Sequence, residues 1–296
     1  MSKKILTNII ILALLVGAVW GVGVWQRGVR ATNLLGQMHS PNDYEAYQAM
    51  SKLDSLGPSA LVRAVPLLNA PQPEMRARAA ILVGETADAR YAPQVQALLR
   101  DQDATVRGAA ATALGRLGAP EAAEPLATLL QDATQPLEVR TAAAHSLGLL
   151  ASPPTAAALI AVLQAPPDPQ QAVLREAAAA SLGAVKSKEA VDALIALVKD
   201  DQDTVVRTLA AEALGHVPGD DKEQLIVAAS TLGGVLTDRD PTGQKLAPPE
   251  VRIAAAQALG TMSLPPEIAD GVRQYLQEAG NDDEYWVREA AKKARR

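Results

Sequence analysis

The chain has no cysteine and no phenylalanine, and aromatic residues make up only 3% of its 296 positions. Without thiols there can be neither disulfides nor thiolate metal sites, and the absence points to no particular redox compartment. Histidine is scarce as well: His39, His145 and His216 are the full set. They are widely spaced, form no His-Glu-x-x-His pair and show no regular ligand spacing, so no metal site is expected. A basic excess is also missing. The net charge of −5 argues against a protein that neutralises a nucleic-acid backbone, because that role needs a surplus of Lys and Arg. No Gly-x-Ser-x-Gly, phosphate-cradling Gly-rich loop or dinucleotide fingerprint occurs, so no catalytic residue and no cofactor is assigned, and the chain reads as a non-enzyme. What is abundant is alanine. Ala-rich helices approach one another closely, which favours a packed all-α structure over a sheet.

Ile5 to Trp25 is an apolar run of 21 residues broken only by Thr7 and Asn8. As a helix it would span ~31 Å at ~1.5 Å per residue, about the thickness of the hydrocarbon layer. Lys3 and Lys4 precede it, Arg27 and Arg30 follow it, and Trp20 and Trp25 lie toward its end, where amphipathic rings favour the interface. Two readings remain open. Small residues at Val16-Gly17-Ala18 suit a cleaved signal peptide, which would release a periplasmic binding module. The run continues well past that point, however, and this favours a retained transmembrane anchor over residues 1–30. The slight excess of positive charge before the run favours an inside N-terminus. In a bacterium with two membranes, that places the rest of this single-pass inner-membrane protein in the periplasm. Gly17 and Gly21 form a Gly-x-x-x-Gly that would let two membrane helices pack closely.

Beyond a linker and N-terminal cap at residues 31–57, one pattern recurs. An aliphatic residue is followed by Arg, two variable residues, two small ones, a variable residue, Ala or Ser, Leu and Gly. It stands as Val106-Arg107 through Leu114-Gly115, and returns at Val139-Arg140, Leu174-Arg175, Val206-Arg207 and Val251-Arg252. Met75-Arg76 opens a looser copy and Val287-Arg288 a last one. Successive arginines are 31, 33, 35, 32, 45 and 36 residues apart. A period in the low thirties fits two short helices plus turns, the unit of an α-solenoid. The motif's Gly would supply a left-handed helix end, and Pro58, Pro120 and Pro154 would open the following helices.

This pattern resembles the HEAT-repeat family, and specifically its bacterial PBS-lyase-like branch. The resemblance implies an all-α, right-handed α-solenoid of about seven helical hairpins over residues 58–296, following one transmembrane helix. Asp103 and Asp203 could otherwise suggest acid-base pairs or a carboxylate metal site. They recur with the period, however, and are read as helix N-caps, where an acceptor and a negative charge are favoured. The recurrent arginines would then bond to the turn of an adjoining repeat, as the resemblance also implies. Some proteins with such repeats attach bilin chromophores to phycobiliproteins, so a phycobilin-lyase-like attachment factor is the enzymatic alternative. The reading preferred here is a scaffold or accessory subunit of a membrane complex, with protein partners.

Counting the aliphatic residue of the motif as position 0, positions 0, 4 and 8 share one helix face and positions 2 and 6 point away from it. Positions 2 and 6 are Ala77 and Ile81, Gly108 and Thr112, Thr141 and His145, Glu176 and Ala180, Thr208 and Glu212, and Ile253 and Gln257. A solvated stripe would be rich in Lys, Glu and Arg, whereas this one is mostly small or weakly polar. The family's second helices line a groove, so these residues are expected to receive a partner. The widest spacing contains Thr237 to Pro249, an expected exposed loop with too few carboxylates for calcium.

Overall fold

In the computed structural model, the structure describes residues 28–40, 42–217 and 221–295. The apolar run Ile5–Trp25 and its Gly17–Gly21 spacing lie outside these residues. Among the described residues, no helix is long and apolar enough to cross a membrane. Those residues are almost entirely helical, and their only β feature is an isolated bridge between Arg239 and Lys245.

The chain divides into two compact units, one ending at Leu117 and one beginning at Gly118. In the first, a helical segment over 28–37 precedes α1 (Asp43–Asp54), whose N-terminus is capped by the Asn42 side chain. Next come α2 (Pro58–Leu61), α3 (Pro73–Gly84), α4 (Ala92–Ala97) and α5 (Ala104–Leu117). Pro66 removes an amide donor just after α2, and the chain continues there as a 3-10 helix, Val62–Asn69. The second unit contains α6 (Ala123–Gln131), α7 (Leu137–Leu150), α8 (Pro153–Gln164), α9 (Ala172–Leu182) and α10 (Lys188–Asp200). It continues with α11 (Thr204–Leu214), α12 (Lys222–Thr237), α13 (Pro249–Thr261), α14 (Pro266–Ala279) and α15 (Tyr285–Ala294). Each arginine motif lies on the second helix of a hairpin. Within the second unit, motif helices pack on motif helices (α7, α9, α11, α13, α15) and first helices on first helices (α6, α8, α10, α12, α14), giving two layers.

The inward face carries Val106, Ala110 and Leu114, all fully buried, and their counterparts in the other repeats, as the spacing requires. Alanines at positions 5 and 7 are buried too, so the contact face is wider than a three-residue stripe. This explains why the motif ends in Ala or Ser, Leu and Gly. A Cβ placed on Gly183 would lie 2.6 Å from Ala213 Cβ, and one on Gly148 2.7 Å from Ser181 Cβ. Gly84 meets Ala113, Gly215 meets Ala258 and Gly260 meets Ala294 in the same way. Position 9 of one repeat thus abuts position 7 of the next, and glycine is required for close approach. It does not form the expected left-handed helix end: Gly183 and Gly215 have φ of −61° and −63°, ordinary helical values. The left-handed residues that end several motif helices fall three positions later, at Ala87, Gly118 and Ala151.

The recurrent charges form a second inter-repeat seam. Asp103 and Asp203 accept hydrogen bonds from the first helical N–H groups of α5 and α11, as expected of caps. Three motif arginines donate to carbonyls of their own preceding turn: Arg76 to Ala70 and Pro71, Arg107 to Asp101 and Gln102, Arg288 to Asp282 and Asp283. Arg140, Arg175 and Arg207 donate instead to carbonyls near the end of the preceding helix, those of Leu130, Leu163 and Val198. Several also reach the next repeat. Arg76 grips Asp101 through two nitrogens at 2.7 and 2.8 Å, Arg252 grips Asp282 at 3.0 and 2.8 Å, and Arg175 meets Asp201 at 2.5 Å. The Arg76 guanidinium holds the Asp101 carboxyl below its ordinary range. At Asp282 burial works the other way, but the bonds from Arg252 and the Glu284 N–H prevail and its pKa is lowered. The pairs at Arg175 and Arg252 are buried and that at Arg76 partly so, those at Arg76 and Arg252 are forked, and all three fix one repeat against its neighbour.

Candidate protein-interaction surface

Helix geometry decides which motif side chains remain free. At about 100° per residue, positions −1 and 6 lie near the middle of the arc opposite the core, and position 2 lies nearer its edge. The structure follows this order. At position 6, His145, Ala180, Glu212 and Gln257 are exposed, whereas Ile81 and Thr112 are half-buried. At position 2, Gly108, Thr141, Glu176, Thr208 and Ile253 are half-buried. Ala77 must be withdrawn as a contact residue because it is buried at 6% exposure, within α3's packing. The expectation that Thr141 is a plain surface position also fails: its hydroxyl oxygen is buried and finds no hydrogen-bond partner. The hydroxyls of Thr112 and Thr208 turn back onto carbonyls of their own helices, those of Gly108 and Thr204.

Position −1, which the sequence reading passed over, carries the more telling residues. In the second unit Val173, Val205 and Trp286 occupy it on α9, α11 and α15, all three exposed, while α7 and α13 carry Glu138 and Glu250 there. Leu149, on the same arc of α7 near its C-terminal end, is exposed as well. Aliphatic and aromatic side chains left in water on one face of successive packed helices form an apolar track, the kind of surface that marks interaction sites. Position −1 is closer than position 2 to the centre of the free arc once positions 5 and 7 are counted in the buried face; the stripe at positions 0, 4 and 8 alone would favour position 2.

The track's most developed part lies between α13 and α15. Ile253, Gln257, Trp286, Glu289, Ala290, Lys292 and Lys293 line an open cleft of about 500 Å³. Trp286 is 69% exposed and stands edge-on to Tyr285, their ring centroids 5.0 Å apart. The Arg288 guanidinium sits 5.8 Å from the Tyr285 centroid. Lys292 pairs with Glu289 at 2.8 Å at the cleft's edge. An exposed indole beside an aliphatic floor and a basic rim is suited to anchoring a protein side chain. It holds no arrangement of base, nucleophile and oxyanion donor.

Elsewhere, no group of three or more His, Asp or Glu side chains able to hold a metal occurs among the described residues. His145 and His216 are isolated and exposed on motif helices or their ends. The Thr237–Pro249 segment is indeed largely exposed. The Asp240 carboxylate organises it, accepting from the N–H groups of Thr242 and Gln244, and this holds its pKa below the ordinary range together with a bond from the Thr242 hydroxyl.

The sequence profile described as HEAT repeats matches residues 61–137, 96–174, 135–215 and 162–247. No curated protein matches the chain in sequence. Among solved structures, Escherichia coli YibA is 17% identical, with 94% of this chain and 96% of that one covered and a TM-score of 0.53. Human deoxyhypusine hydroxylase in complex with glycerol is 22% identical, covering 93% and 97% with a TM-score of 0.38. The CpcE–CpcF complex of phycocyanin lyase from Nostoc is 24% identical, covering 80% and 86% with a TM-score of 0.46. At such identities the likeness concerns fold alone.

Proposed function

This chain belongs to the HEAT-repeat family, and we propose that it is a non-enzymatic, membrane-anchored scaffold or accessory subunit that binds protein partners. HEAT repeats generally mediate protein–protein interaction, and the observation that carries the reading here is the apolar track of Leu149, Val173 and Val205 leading to the Trp286 cleft. Membrane anchoring is supported by the Ile5–Trp25 run and its flanking charges. The same charges favour repeats on the periplasmic side of a bacterial inner membrane, in contact with subunits of a membrane complex.

The test is affinity purification of the full chain from native membranes in mild detergent. Trp286→Ala and Val205→Glu are compared with Thr128→Arg and Ala161→Glu, whose native residues are exposed on the opposite layer. Removing an aromatic anchor from an interface costs about 2 kcal/mol or more, roughly a thirtyfold loss of affinity. Loss of the same partner in both track variants but in neither control is expected. Recovery at wild-type levels from the track variants would refute the surface assignment.

A further inference from the structure

Within the second unit the arginine seam has one incomplete rung. Counting back from each motif's aliphatic residue, the acceptor that the preceding repeat's arginine grips is at position −5: Asp101, Asp201 and Asp282. Arg140 uses an amide instead, donating from Nη1 to Gln171 Oε1 at 3.2 Å while its Nε bonds the Leu130 carbonyl. Arg207 adopts the same pose, its Nε 3.0 Å from the Val198 carbonyl. Its terminal nitrogens, however, hydrogen-bond to no other described residue. The reason is the insertion before α13. The register of the own-turn bonds is kept there, since Arg252 donates to the Ala247 carbonyl at position −4. Position −5 is therefore Leu246, which is 60% exposed, and position −3, where Gln171 completes the Arg140 rung, is Pro248; neither side chain can accept.

The vacant rung opens into a cavity of about 630 Å³ lined by Arg207, Lys199, Ile226, Val227, Asp238, Leu246 and Tyr275, among others. Ile226, Val227 and Leu246 leave apolar surface in water at its walls. The charged groups facing it are Arg207 and Lys199, both cationic, and Asp238, which forms no ion pair with either. Within the same molecule, the seam's own arginines show what completes a rung: a side-chain oxygen accepting from the guanidinium edge, a carboxylate at Arg76, Arg175 and Arg252 and an amide at Arg140.

We infer that the cavity bounded by α10, α11, α12 and the Thr237–Pro249 loop is a second docking site, which takes an aspartate or glutamate side chain of a partner protein. The partner's carboxylate occupies the missing rung at Arg207, and an adjoining aliphatic residue covers Ile226, Val227 and Leu246. The size suits two side chains and not a folded element. Leaving a guanidinium edge beside apolar walls gives preference for an acid over its amide, because a charge-assisted bond replaces a neutral one. The site is on other residues than the Trp286 cleft, so the two assignments fail independently.

The probes are two peptides, acetyl-Leu-Asp-Leu-amide and acetyl-Leu-Asn-Leu-amide, titrated into the full chain in detergent with its Ile, Leu and Val methyls labelled for NMR. The aspartyl peptide should shift the methyl signals of Ile226, Val227 and Leu246 and bind at least about tenfold more tightly than the asparaginyl peptide. Arg207→Gln should abolish that preference. Leu246→Asp, which restores the rung from within, should raise the melting temperature and remove binding of the aspartyl peptide. Equal binding of the two peptides, or no shift with either, would overturn the proposal. So would a lowered melting temperature in Asp238→Asn as large as that in Asp201→Asn, which would mean that the loop's own carboxylate fills the rung.

Discussion

The contact between Gly183 and Ala213 offers a direct measure of how tightly successive motif helices are set. A methyl group added at Gly183 would place its carbon 2.6 Å from Ala213 Cβ, while the Ala213 Cα lies at 3.4 Å. Carbon atoms rest at about 3.5–4.0 Å, so the added methyl overlaps by about 1 Å and α11 must shift or deform to accept it. Overpacking of this kind costs about 1–3 kcal/mol. Ala213→Gly alone removes a methyl from a helix and should cost about 1 kcal/mol through propensity. In the double variant the overlapping pair is gone and the remaining approach is near normal, so its total cost should stay near that of Ala213→Gly. The expected coupling is therefore about 1–3 kcal/mol in favour of the pair. Gly271→Ala is the control, since a Cβ there meets nothing within 4 Å. That change should stabilise by about 0.5–1 kcal/mol. Urea unfolding followed by helical circular dichroism, with the slope checked for each variant, gives all four values. Additive single effects, or a Gly183→Ala as benign as Gly271→Ala, would show that the motif glycine is not there for close approach.

The incomplete seam predicts unequal arginines. Arg175 is 4% exposed and paired to Asp201, so Arg175→Ala should cost about 3–5 kcal/mol, whereas Arg207→Ala should cost about 1 kcal/mol; equal losses in thermal unfolding would contradict this. Asp101 has its folded pKa lowered by Arg76, so its contribution is fully present above the unfolded value of about 3.9 and is lost as pH falls through the folded one. Asp101→Asn should therefore flatten the fall of stability with acidification below about pH 4, and an unchanged acid limb in denaturant titrations would refute the pairing. The anchor predicts that alkaline carbonate leaves the full chain in the membrane pellet and that a variant lacking residues 1–27 is soluble; release of the intact chain would count against the anchor.

The repeat was legible because its period is imposed by packing. Val106, Ala110 and Leu114 must share a face for the hairpins to stack, and that requirement leaves a spacing in the sequence. The caps were legible for a similar reason, since Asp103 and Asp203 act within three residues of themselves. The role of the motif glycine was not, because it depends on a residue in the following repeat: Gly148 is small on account of Ser181. The exposed face was half legible. Residues at position 6 came out free in the second unit, though not Ile81 and Thr112 in the first, and position 2 is more enclosed, as buried Ala77 and the buried Thr141 hydroxyl show. Trp286 was missed because it precedes the motif's first residue, although helix geometry places it on the same arc.

In a repeat array, periodicity itself separates architecture from recognition. A residue that recurs at the same position in every repeat sees the same neighbours each time, and its selection is explained by stacking. The arginines and position 9 glycines are of this kind. In the structure the glycines are taken up by contacts between repeats, and the arginines by carbonyls of their own hairpin and, at Arg76, Arg140, Arg175 and Arg252, by the next repeat. A partner, by contrast, is a single object and touches particular repeats, so features serving it must break the period. Two breaks stand out. Position −1 holds Glu or Thr in four repeats and an exposed valine in two, but Trp286 in the last, and there the cleft opens. In the second unit every rung has an acceptor at position −5 or −3 except at Leu246 and Pro248, where the spacing stretches to 45 residues and the second cavity opens. Both departures place apolar surface in water where a polar residue would fold equally well, and folding alone gives no reason to keep either.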